Sequence, residues 1–83
     1  MSRIAKLYMR VASAPTNARF EDVVRLAEAV GFVRKRIRGS HHIFFHEDKP
    51  DEILILVDEQ GQAKVYQVRQ LLDVIERLRL WRW

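Results

Sequence analysis

The chain has 83 residues, a formal net charge of +4 and no cysteine. That length holds one small domain with a modest core and excludes an enzyme with a separate cofactor fold. The missing cysteine excludes disulfides, thiolate nucleophiles and sulfur-ligated zinc or iron. Eleven of the 15 cations are arginine, the planar, bidentate donor suited to phosphate. This leans toward nucleic acid, against a competing reading as a solvated basic face.

In chain order, Ile4, Leu7, Tyr8 and Val11 lie on one helical stripe over residues 3–12. Its cations, with no acid before Glu21, also suit a transit peptide, but the first amphipathic helix of a folded domain is the preferred reading. Ala14-Pro15-Thr16-Asn17 ends that helix. Phe20, Val23, Val24, Ala27 and Val30 form a second stripe, with Glu21 and Asp22 placed to complement the helix dipole and Gly31 placed as a C-terminal cap.

From Phe32 the period drops to two. Phe32 to Ile37 reads as a strand, Arg38-Gly39-Ser40 as a tight turn and His41 to Glu47 as the returning strand. Ile53 to Val57 is a third strand, apolar on both faces and therefore expected to be covered on both. It is also the longest apolar run, too short to cross a bilayer, so no membrane partner is expected and the cytoplasm is the expected location. After a turn at Asp58–Gln62, helical spacing returns with Val65, Val68, Leu71, Leu72, Ile75 and Leu78. The expectation is an α+β chain, with one antiparallel three-stranded sheet and helices on one face.

Chemistry is expected near Gly39-Ser40-His41-His42-Ile43-Phe44-Phe45-His46. In a strand, His42 and His46 share a face but stand roughly 13 Å apart, four steps of about 3.3 Å, and His41 faces the other way. One metal ion cannot collect all three, so no metal and no cofactor is expected. His42 and His46 fall on the face of Phe44 and are expected to be partly buried and hydrogen-bonded. His41, at the mouth of the hairpin, follows a strand carrying Arg34, Lys35, Arg36 and Arg38. Cations beside an imidazole suit a phosphodiester: the cations hold phosphate and the histidine moves a proton. The competing reading is an ordinary polar strand residue on a solvated basic face. Ser40 can bond a phosphate or simply form the turn.

Gly31-Phe32, the basic strand and Gly39-Ser40-His41-His42-Ile43-Phe44 resemble the HicA family of toxin ribonucleases. Phe20-Glu21-Asp22-Val23-Val24-Arg25-Leu26 and Gly61-Gln62-Ala63-Lys64-Val65-Tyr66-Gln67-Val68-Arg69-Gln70 extend the resemblance, which covers roughly residues 18–79. It implies a fold like the double-stranded-RNA-binding domain, α-β-β-β-α, here as a single domain over 1–83 with residues 1–17 an added helix and loop. It implies a metal-independent endoribonuclease acting on mRNA and neutralised by a HicB-like antitoxin, with His41 as the catalytic histidine. This sequence departs from the family in three places. The third strand has no Pro-x-His segment, Val65 stands where proline is expected before Tyr66, and Phe20 takes a position where a serine or threonine helix cap is common.

The resulting site is His41 as general acid or base, with Arg34, Arg36, Arg38, Ser40 and Lys64 on RNA. Lys64, Tyr66 and Arg69 cluster at the start of the last helix, as a phosphate site or as ordinary surface residues. Arg77, Arg79, Trp81, Arg82 and Trp83 interleave cations and indoles, suited to stacking on RNA or to closing an apolar patch. Two further readings compete with the ribonuclease: a non-catalytic RNA-binding module on the same fold, and a domain whose basic face meets an acidic protein.

Overall fold

The first stripe folds as helix α1, Arg3–Ser13, capped by Ser2, whose Oγ accepts a hydrogen bond from the Ala5 N–H at 3.0 Å. The computed structural model describes residues 2–81, so the reading of Arg82 and Trp83 lies outside the described residues. The second stripe forms α2, Phe20–Ala29. Strands β1 (Phe32–Arg38), β2 (His41–His46) and β3 (Ile53–Glu59) follow as antiparallel neighbours, and the last stripe forms α3, Val65–Arg77. The architecture is α+β in the expected double-stranded-RNA-binding-domain-like order, preceded by an extra helix.

The sheet has one strand more than expected. Gln60 and Gly61 both take positive φ, 53° and 90°, the pattern of a two-residue I′ turn. The turn sends the chain back as β4, Gln62–Ala63, and the order across the sheet is β1-β2-β3-β4. Two residues carry no readable period, which is why the segment reads as turn and helix start. β4 also anchors α2. The Phe20 N–H donates to the Gly61 carbonyl at 2.9 Å, and the Ala63 N–H to the Ala18 carbonyl at 3.1 Å. Arg19, not Phe20, is the cap residue, and it makes no side-chain cap bond. A backbone carbonyl thus satisfies one of the orphan donors at the helix start, and Phe20 is free to be buried.

All three helices contribute to one core on one side of the sheet, where Leu26, Phe44, Leu56, Leu71 and Ile75 are fully buried. α1 is fastened from two directions. Tyr8 Oη donates to Glu76 Oε1 of α3 at 2.7 Å, and Arg10 pairs with Asp22 of α2 at 3.5 Å. The bond to the Glu76 carboxylate, helped by burial and by the carboxylate charge, raises the Tyr8 hydroxyl to about 12.

Among the described residues, no helix packs across the other side of the sheet. The expectation that β3 is covered on both faces therefore fails at Ile53 and Ile55 and holds on that side only at Val57, which is buried. Leu54 and Leu56 are buried, while Ile53 and Ile55 are 46% and 39% exposed. The edge of β3 beyond β4 is closed by α3. The Val57 N–H donates to Gln67 Oε1 at 2.8 Å, and Gln70 Nε2 donates to the Ile53 carbonyl at 3.5 Å. Two glutamine side chains thus stand in for part of a neighbouring strand.

Candidate functional site

The β1–β2 hairpin turns on Gly39 and Ser40, with Arg38 paired to His41. Gly39 has φ 58°, and Ser40 is not in the positive region, the II′ arrangement in which glycine takes the first central place. This short loop sets the register, and the register divides the cations and histidines between two faces.

On the open face, one row runs Arg38–His41–Val57 and the next Arg36–Ile43–Ile55. Directly opposed residues hold their Cβ atoms about 5 Å apart, so Arg38 lies beside His41, with Arg36 one row further. On the helix-covered face the rows are Ile37–His42–Leu56 and Arg34–Phe44–Leu54. Arg34 is thus separated from Arg36 and Arg38. Its Nη1 donates to His42 Nδ1 at 3.2 Å, and its guanidinium lies 5.7 Å from the centre of the Phe44 ring. Lys64 caps α3 and pairs with Glu59 at 3.6 Å, which offsets its charge. Ser40 is exposed in the turn, and its carbonyl accepts from the Asp58 N–H at 3.0 Å.

The three histidines have three different environments. His46 is 1% exposed. Its Nε2 donates to the Val30 carbonyl at 2.8 Å, while its Nδ1 accepts from the Asp48 N–H at 3.1 Å. Both nitrogens are committed to backbone, in the neutral Nε2–H tautomer. His42 is half-buried and lies 4.7 Å from the Phe20 ring. Burial, followed by the Arg34 charge, holds its pKa below the usual 6.5, against a smaller pull upward from Asp58. His41 is exposed on the open face. Among the described residues, no group of three or more histidine, aspartate or glutamate side chains is arranged to hold a metal ion.

The depressed His42 value has a consequence for stability. The folded chain holds the proton less tightly than the unfolded chain does, so stability is complete above about 6.5 and falls as pH drops through the folded value. NMR titration of the three imidazoles is expected to place the His42 midpoint below 6.5, and Arg34→Ala is expected to move it up.

His41 lines a cleft of about 300 Å³ with Ile53, Ile55, Tyr66, Gln67 and Gln70. A larger cleft of about 640 Å³ opens further along the same face, between Val33, Lys35, Arg36, Phe45 and Pro50. The smaller one is chemically better equipped, because the histidine bordering the larger is His46, whose ring is spent on backbone. Gln67 and Gln70 carry no site signal in the local sequence, because their position depends on α3 reaching across the β3 edge. Arg69 is exposed on α3, and Trp81 is 44% exposed at the end of the described chain. Arg77 is drawn out of the tail cluster: it pairs with Glu52 at 3.0 Å and with Asp73 at 3.6 Å.

The model of the HicA toxin family of bacterial toxin–antitoxin systems matches residues 20–76, well over half of the chain. The chain belongs to the HicA toxin family. Searches of curated proteins and of solved structures return no significant match. The HicA segment begins with the first residue of α2 and ends inside α3, so α1 lies outside it. A HicA toxin belongs to a toxin–antitoxin pair, generally as its ribonuclease, and implies a cognate antitoxin. Among the described residues no helix is long and apolar enough to cross a membrane.

Proposed function

We propose that this HicA protein is an endoribonuclease that cuts mRNA with His41 and without a metal ion. The observation that carries the reading is the row Arg38–His41 on the open face, with Arg36 beside it. In the reaction, the ribose 2′-oxygen attacks the adjacent phosphorus. The O2′–P bond forms, the P–O5′ bond breaks, one proton leaves the 2′-hydroxyl and one reaches the 5′-oxygen. His41 transfers one of these protons as general base or acid, and solvent handles the other. Arg36 and Arg38 stand on the same face to hold phosphate and oppose its growing charge. Ser40, in the turn, is available to a phosphate oxygen. Arg34 and Lys64 take lesser parts in RNA binding, because each already has a partner. A purely RNA-binding role would fit an imidazole packed under the helices, whereas His41 is exposed. The test is cleavage of RNA by wild-type and His41→Ala protein in EDTA.

The antitoxin is proposed to be HicB-like and to cover this face. Support comes from Val33, Ile53 and Ile55, apolar side chains 41%, 46% and 39% exposed on the open sheet, in a chain whose family implies a cognate antitoxin. A lysine at the centre of this surface would bury an unmatched charge in the complex. Ile55→Lys is expected to weaken antitoxin binding at least about tenfold by calorimetry. Unchanged affinity would move the antitoxin to another surface.

A further inference from the structure

Tyr66 is the second residue of α3 and is 63% exposed, with its ring on the cleft that holds His41. The next residue keeps it there. Gln67 is buried, at 4% exposure, and its Oε1 accepts the Val57 N–H at 2.8 Å. Val57 is the residue directly across from His41. The other end of the same amide, Nε2, donates to Tyr66 Oη at 3.4 Å. One buried amide therefore links the phenol to the strand position facing His41. The hydrogen bonds also set a direction. A hydroxyl has one proton and two lone pairs. A Tyr66 hydroxyl that accepts from Gln67 has its own O–H free to donate, and that bond points away from Gln67.

The geometry points to Tyr66 as a second substrate-contacting residue, whose phenolic O–H donates to a non-bridging oxygen of the phosphodiester cut beside His41. This inference rests on the ribonuclease reading above and deepens it. Negative charge accumulates on those oxygens as the 2′-oxygen attacks, so a donor aimed at them binds the transition state more strongly than the substrate. Tyr66 keeps its proton throughout, and the bonds made and broken are those already given. Gln67 is the positioning residue: its oxygen is engaged by the sheet, which turns its nitrogen toward the phenol.

Tyr66→Phe removes the hydroxyl and keeps the ring. With a short oligoribonucleotide as substrate, kcat is expected to fall on the order of 10²-fold with KM unchanged, because the lost bond belongs to the transition state. Thermal melting should match wild type, since the hydroxyl lies at the surface. Cleavage by Tyr66→Phe at the wild-type rate overturns the inference. If Tyr66→Ala alone is slow, the ring stacks on a base and the hydroxyl has no part. Failure of the underlying reading looks different: wild-type protein would leave the RNA intact, and both proposals would fall together.

Discussion

His41→Ala is expected to lower RNA cleavage by about 10²- to 10⁴-fold, the usual contribution of one positioned proton-transfer group, and to leave the melting temperature unchanged. The two halves of this expectation have one cause. His41 begins β2 on the face without helices, exposed and outside the core. Its removal opens no cavity, and the hairpin register is set by the Gly39-Ser40 turn and by the pairing of β2 with β3. EDTA is expected to make no difference to the wild-type rate, because the proposed step moves one proton and meets phosphate charge with arginine. Equal cleavage by wild-type and His41→Ala proteins removes His41 from the mechanism. Loss of wild-type cleavage in EDTA removes the metal-free step and leaves His41 to be judged by the alanine result.

His46→Ala is expected to do the reverse, costing about 3 kcal/mol of stability. The imidazole is almost entirely buried and serves the Val30 carbonyl and the Asp48 N–H at once. Alanine leaves both backbone groups without that partner, at about 1–3 kcal/mol for each group that stays buried. It also opens a void where the ring edge meets Phe32 at 5.0 Å between centroids. In a domain of this size, 1 kcal/mol moves the midpoint by about 4–8 °C, so the melt should fall by roughly 15 °C. The fraction that stays folded should cut RNA at the wild-type rate per molecule. A melt within about 2 °C of wild type would show that the His46 bonds contribute nothing net. The contrast with His41 is the sharper test, because two histidines five positions apart on one strand are assigned opposite roles.

Some of this was legible in advance. The alternation around Phe44 separates His41 from His42 and His46, and the structure puts His41 in the open and His46 in the core. The helical stripes mark α1, α2 and α3 to within a residue or two, because each stripe has to be buried against something. Other parts were illegible. β4 is two residues long, too short for any period. Phe20 reads as a poor cap, yet the cap position is Arg19 and the Gly61 carbonyl, 41 residues away, meets the Phe20 N–H. Arg34, Arg36 and Arg38 look equivalent, but the shift in pairing between Arg34 and Arg36 and the pleat together leave Arg34 on the helix side.

What the sequence by itself determined is local: helix and strand periods, the Gly39-Ser40 reversal, the opposite facing of neighbouring histidines and the family to which residues 20–76 belong. These rest on spacing between near neighbours, which backbone geometry converts directly into faces. The tertiary structure alone decided which face of the sheet stays open, and that Ile53 and Ile55 lie on it. It also decided that α3 crosses the β3 edge and brings Gln67 and Tyr66 to the cleft of His41. The physical reason is that the spare N–H of Val57, at an uncovered strand edge, had to find an acceptor. The acceptor it found is a side chain ten residues further along the chain.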